Sequence, residues 1–300
     1  MILLVVFGHC LPEHWNLHKW IYSFHMPAFF IADGFVLRYT EFRQSSLSKT
    51  FTKEIKGLLV PYLFFSTVLM LFRWWESSFS LEVIRFQTID LISLCGIGAM
   101  WFLPCLFFAR LFLRLILVKP YLEPLTIVLF LLPLFVDHQT FVGLVLFRSC
   151  IAIGFIYIGY RSLPAIQKLA RLNCVPIIIF FFAFLAISIA LCITSSQQYG
   201  LNTLQVCPAL GYIAASLSGS FMVILLALLL KLQVNWLGSI FAHLGRFSLF
   251  IMGLHQAIML IIPQTSWISL NIVLNTLASI ALSILIARLF QFVNHRRAPA

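Results

Sequence analysis

Apolar residues run along this chain in blocks of about twenty, separated by short stretches where Lys, Arg, Ser, Thr and Pro collect. Wound as helices at about 1.5 Å rise per residue, blocks of that length match the hydrocarbon thickness of a bilayer. They cover Trp20 to Arg38, Gly57 to Trp75, Ile97 to Val118, Phe141 to Tyr160, Val175 to Thr194, Pro208 to Leu230, Leu244 to Ile262 and Leu270 to Phe292. Two shorter runs, Met1 to Leu11 and Leu125 to Val136, complete the set. A barrel would instead alternate polar and apolar residues in ten-residue strands. The pattern therefore predicts an all-α fold, a polytopic transmembrane bundle of about ten helices, with one integral membrane domain over residues 1–300. The first run gives only about 16 Å of helix, half a span. We expect this first helix to be truncated at the N-terminus, its missing half beginning upstream of Met1 with a basic residue.

Composition agrees with the pattern. Of the 300 residues 62% are hydrophobic and only 10% charged, and 31 Phe outnumber the 20 Lys and Arg together. So few polar side chains could not clothe a water-soluble surface. The net charge of +11 could suggest nucleic acid, but the basic residues fall between apolar blocks rather than in a patch. Sixteen of them, including Arg38, Arg43, Lys53, Lys56, Arg110 and Arg114, are read as lying on one side. Only Lys19, Arg73 and Arg85 fall on the other. This asymmetry predicts that the rich side, and the C-terminus with it, is cytoplasmic. The seven Cys are scattered through apolar segments without C-x-x-C or metal-ligand spacing, which predicts small buried hydrophobes and no metal site.

Ionisable groups inside a membrane are costly and point to function. His9 and His25 fall about 8–9 Å below the expected outer interface, Arg148 about 10–12 Å and His255 about 12 Å. Four helices thus bring polar side chains to one depth. His14, His18, His138, His243 and His295 read as loop or helix-end residues, exposed and without a role. Pro27 lies two residues after His25 and frees the carbonyl one turn earlier, near Ser23, which predicts a kink and space for a ligand. Asp33 needs a basic or hydroxyl partner, expected on another helix.

The run Leu4-Val5-Val6-Phe7-Gly8-His9, then Ser23-Phe24-His25-Met26-Pro27-Ala28-Phe29-Phe30, resembles the acyltransferase-3 family of integral membrane acyltransferases. Its branch of fucose acetylases and the enterobacterial common antigen O-acetyltransferase is the most similar. Phe51 to Tyr62, Trp101-Phe102-Leu103-Pro104, Gly154 to Tyr160 and Leu244-Gly245-Arg246-Phe247-Ser248 through His255 follow in the family's order. Two positions depart from it. The basic residue the family carries about eleven positions before the first-helix His would precede Met1, and Asp33 stands where Ser is common.

The resemblance implies O-acyl transfer, most often of acetyl, from acyl-CoA to a hydroxyl of a cell-surface carbohydrate or a lipid-linked glycan, in a bacterial inner membrane. Acetyl-CoA is then a donor substrate, and no permanently bound cofactor is expected. A sugar hydroxyl needs a base, for which His9 is the first candidate, with His25 orienting it or binding the acceptor. Arg148 is the candidate for stabilising the oxyanion. Arg43, Lys53 and Lys56 are candidates for the phosphates of CoA, and Trp101, His255 and Asp33 for the acceptor. Two alternatives stay open, a glycan or lipid transporter and an inactive acyltransferase-like remnant. The geometry also leaves open whether the donor arm threads the bundle or a histidine relays the acyl group. The basic loop from Arg38 to Lys56 suits membrane lipid as well as CoA.

Overall fold

The structure is a computed structural model that describes residues 1–40, 47–136, 141–195, 198–263 and 265–297. All regular elements among them are helical, apart from one isolated bridge between Gly200 and Gln205. The short α1 (Ile2–Cys10) is followed by α2 (Asn16–Tyr39), the central helix. Next come α3 (Leu47–Glu54), a π-helical turn over Ile55–Leu59 and α4 (Val60–Glu76), which run on as one helix. Pro61 has no N–H to return to the Gly57 carbonyl, and the Val60 N–H instead reaches back to Ile55. The connecting α5 (Leu81–Ile92) and a 3₁₀ turn over Gly98–Trp101 lead into α6 (Phe102–Val118). Beyond it are α7 (Leu125–Leu131), α8 (Phe141–Leu169), α9 (Cys174–Thr194) and α10 (Ala209–Gln233). The chain closes with α11 (Asn235–Arg246), α12 (Ser248–Ile261) and α13 (Ile268–Arg297).

Every apolar run becomes helix, as the pattern predicts, and the molecule is a helical membrane bundle. Among the described residues seven helical stretches are long and apolar enough to cross a bilayer. An eighth exists if α11 and α12, bent by 70° at Phe247, count as one span. The first and fifth runs stay short, so the expected figure of about ten applies to helices rather than to full spans. The apolar α9 is mostly exposed and presents Ile178, Phe180 and Phe182 outward, the surface a lipid phase wets. None of the seven cysteines, all among the described residues, is in a disulfide, and Cys95 and Cys105 are buried.

Packing centres on α2. Its Gly34 lies against the Ile156 carbonyl of α8, and Gly159 of α8 lies against the Ile31 carbonyl of α2. Any Cβ at either position would collide with backbone, so this reciprocal glycine contact sets the crossing. On its other side α2 meets α10. The carbonyl of Ser23, released by Pro27, accepts a 2.8 Å hydrogen bond from Ser216 Oγ, and Ser220 Oγ donates to the next carbonyl, Phe24, at 3.4 Å. Helix α2 is continuous through Pro27, and the orphaned acceptor is met by a neighbouring helix.

Candidate active site

One face of α2 carries a line of side chains at helical spacing: His18, Tyr22, His25, Phe29, Ala32 and Val36. The first three form the polar half. The imidazole of His18 stacks on Tyr22 with ring centroids 3.9 Å apart, and Tyr22 meets His25 edge-on at 4.8 Å. The Tyr22 hydroxyl is 2.9 Å from Nδ1 of His9 on α1, and the His9 ring lies 5.1 Å from that of His255 on α12. Three of the four groups expected at one depth are therefore gathered.

The same cluster admits a residue that the sequence reading passed over. His18 is 3% exposed and hydrogen-bonded at Nδ1 to Gln198, so its expected place at an exposed helix end is corrected. It stands one turn before Tyr22 and seven residues before His25, so its helical phase was readable. Hidden from the sequence was the loop after α9, which folds back over this end and supplies Gln198. Tyr22 escaped notice because a tyrosine in an apolar run looks like an interface anchor.

Arg148 on α8 is buried as well, but its contacts lie elsewhere. Its guanidinium donates to the carbonyls of Cys95 (2.8 Å) and Asn202 and lies 5.1 Å over the Trp101 ring. The charges that reach it include Asp90, whose carboxyl is pushed up by burial against the pull of Arg148 and Arg73. Titratable groups close enough to act on His9 are His255, His25, His18 and Arg73. Arg148 thus ties two loops together beside the 3₁₀ turn of Trp101. That turn in turn reaches α12, where the Ala99 N–H donates to Gln256 Oε1 at 3.0 Å.

Toward the other end of the bundle lies a cavity of about 1110 Å³. Its lining includes Leu4 of α1, Phe29 and Asp33 of α2, Phe102 and Arg110 of α6 and Met252 of α12. On three helices the cavity ends just short of the histidines: Leu4 precedes His9 by five residues, Phe29 follows His25 by four and Met252 precedes His255 by three. At about 1.5 Å per residue each gap is between about 4 and 8 Å. The histidine end of the lining is apolar, whereas Arg110, Lys231, Asn235 and Ser239 gather at the other.

Asp33 finds its partner on another helix, as expected. Arg110 of α6 donates to both of its carboxylate oxygens, with Nε at 2.9 Å, and its remaining nitrogen donates to Glu54 Oε2 at 2.7 Å. One guanidinium therefore serves two buried carboxylates. Arg114, one turn on, is 2% exposed and donates to Thr50 Oγ1 at 2.9 Å. Both arginines were read only as part of the basic side of the chain. The structure shows them on α6 facing buried polar partners on α2 and α3. Lys53 and Lys56 are exposed, and neither lines the cavity, although Gly57 does. Arg43 lies outside the described residues. Lys231, the exposed last-turn lysine of α10, lines the cavity and was not singled out from the sequence.

Among the described residues no group of three or more His, Cys, Asp or Glu side chains is arranged to hold a metal. No curated protein and no solved structure matches the chain. A family model described as an acyltransferase domain matches residues 1–290, a stretch that contains every helix of the cavity and all the clustered histidines. The chain belongs to the acyltransferase-3 family of integral membrane acyltransferases.

Proposed function

We propose that this acyltransferase carries an acyl group, acetyl as the simplest case, from acyl-CoA to a hydroxyl of a cell-surface carbohydrate or its lipid-linked precursor. The observation that carries the reading is the alignment of the cavity with the histidine cluster. An acyl-CoA entering at the polar end would leave its phosphates near Lys231 and extend its arm along the α2 face past Ala32 and Phe29. From Val36 to His25 that path is eleven residues, about 16 Å, a distance an extended pantetheine arm spans. The thioester would then arrive beside the imidazoles. With this end taken as cytoplasmic, in a bacterial inner membrane, the donor is drawn from the cytoplasm and the acceptor meets it from the opposite end. A cavity that ends within about 4–8 Å of the imidazoles favours arrival of the donor itself over an acyl-histidine relay.

The chemistry follows from the acceptor. An alcohol attacks a thioester only as its proton is removed, and a neutral imidazole is suited to that near pH 7. The apolar upper lining excludes water that would otherwise hydrolyse the thioester. Arg148, its guanidinium committed to two carbonyls, acts in this reading by holding the loops around Trp101 rather than by touching the reacting carbonyl. Asp33, engaged by Arg110, shapes the cavity wall.

The test is an assay on membranes containing wild type, His9→Ala and His25→Ala, with labelled acetyl-CoA as donor and surface glycan as acceptor. Transfer by the wild type that falls at least a hundredfold in both variants supports the reading. Transfer that both substitutions leave unchanged removes these histidines from the reaction. Absence of transfer from any acyl-CoA by the wild type rejects the reading.

A further inference from the structure

The hydrogen bonds around the three central histidines fix which ring nitrogen of each carries the proton, and so which can accept one. We propose that Nε2 of His255 is the proton acceptor of the site, and that Tyr22 and His9 form a pair that presents a proton opposite it. This rests on the acyl-transfer reading above and assigns the roles within it.

The argument begins with acceptors that cannot donate. His255 Nδ1 lies 3.0 Å from the Ile251 carbonyl oxygen and 2.9 Å from that of Met252. A carbonyl only accepts, so Nδ1 carries the hydrogen and the neutral ring is bare at Nε2. That nitrogen is buried and without a hydrogen-bond partner, in a residue 0% exposed. An unpaired buried acceptor is destabilising, which is accounted for if a substrate hydroxyl completes it. Position is fixed as well, since the His255 carbonyl accepts from Ser279 Oγ of α13 at 3.3 Å.

His9 has the opposite arrangement. Its Nδ1 meets the Tyr22 hydroxyl, and a phenol is a far stronger acid than a neutral imidazole N–H. The phenol therefore donates to Nδ1, and the hydrogen of His9 resides on Nε2. Stacking on His18 and the edge contact with His25 hold the Tyr22 ring in place. On two rings 5.1 Å apart the site thus sets a bare nitrogen, that of His255, against an N–H, that of His9. A base and an oxyanion donor are the two groups that acyl transfer requires.

The step balances as follows. The acceptor hydroxyl gives its proton to His255 Nε2 as its oxygen bonds to the thioester carbon, and the carbonyl π pair moves onto oxygen, where His9 Nε2–H donates. The carbonyl re-forms, the C–S bond breaks, and the thiolate takes the proton from His255. Ester and free thiol leave, and both rings return to their starting forms. His25, whose Nδ1 donates to the Ile21 carbonyl at 2.9 Å, is left with an Nε2 that can accept a second hydroxyl of the acceptor.

The test uses the full chain in lipid nanodiscs, with ¹⁵N-labelled histidine and each signal assigned by its loss in a single variant. Unprotonated nitrogen at Nε2 of His255 and at Nδ1 of His9 is the expected result, and the reverse for either ring overturns the proposal. In the membrane assay His255→Gln is expected to lower kcat by about 10²–10⁴ with KM for the acceptor within about threefold. Raised KM with kcat unchanged would make His255 an acceptor-binding residue and overturn its role as base. Tyr22→Phe keeps the ring contacts and removes only the hydroxyl. It is expected to let His9 populate both tautomers and to lower kcat, with the His255 signal unmoved. A variant with both His9 tautomers and full kcat would reject the Tyr22–His9 pair. If wild type transfers no acyl group while the tautomers are as stated, the acyl-transfer reading fails, and the catalytic roles fail with it.

Discussion

Arg110, Asp33 and Glu54 put one positive and two negative groups into a mostly apolar wall. Removing the guanidinium strands both carboxylates, whereas neutralising one carboxylate leaves Arg110 still paired with the other. We therefore expect Arg110→Met to cost about 3–5 kcal/mol, the usual penalty for breaking a buried pair. Asp33→Asn is expected to cost about 1.5–3 kcal/mol, one charged hydrogen-bonding partner weakened. Thermal unfolding in detergent checks the order, and equal losses would mean that Glu54 does not share the charge. At the same scale, Ser216→Ala leaves the Ser23 carbonyl without its donor. A loss of about 0.5–1.5 kcal/mol is expected in the same measurement. The sequence made half of this legible: Pro27 announces a free carbonyl and Asp33 announces a need, but neither says which helix answers.

Helices here are specified by length and apolarity, whereas their neighbours are specified by small residues. Gly34 and Gly159 bring the α2 and α8 backbones into contact, and that contact aims the face bearing His25 and Phe29 inward. Gly34→Ala is expected to cost about 1–3 kcal/mol through overpacking and to shift the crossing. Gly245→Ala in α11, where a Cβ meets open space, is expected to be neutral or slightly stabilising. Equal unfolding temperatures for the two variants would show that the crossing is not set by this contact. The bend at Phe247 belongs to the same scale. It lets α11 lie across the polar end of the cavity while α12 carries His255 upward, and the apolar run from Leu244 to Ile262 did not mark it. Hydropathy averages along a run and carries no sign of a 70° change of direction within it.

For the molecule as a whole, the cavity links what helix counting keeps apart. Ala32 stands midway along its α2 wall, and Ala32→Phe should obstruct the path while leaving the histidines in place. We expect the acyl-donor KM to rise at least about tenfold, a loss of about 1.4 kcal/mol of donor binding, with the histidine tautomers unchanged. Lys231→Glu is expected to raise the same KM more than Lys53→Glu does, because only Lys231 lines the cavity. Donor titration in membranes checks both, and a larger effect at Lys53 would move the donor's phosphates to the loop that the sequence favoured.

By itself the sequence determined the membrane, the helices and the level along its helix at which each of His9, His25 and His255 stands. Each of these depends on the order of apolar and ionisable residues along one axis, at a fixed rise per residue. Its resemblance to the family rested on motifs in order, which also requires no third dimension. What only the tertiary structure decided is azimuth, the direction in which each helix turns its side chains. Arg148, expected at the histidines' depth, faces the Trp101 loop, whereas His18 and Tyr22, passed over in the linear reading, turn into the cluster. Arg110 and Arg114 count along the chain only as charges of the basic side, whereas α6 turns them against buried partners. Helix rotation is set by which small, polar and apolar faces fit together across neighbours, and that information is shared among several helices.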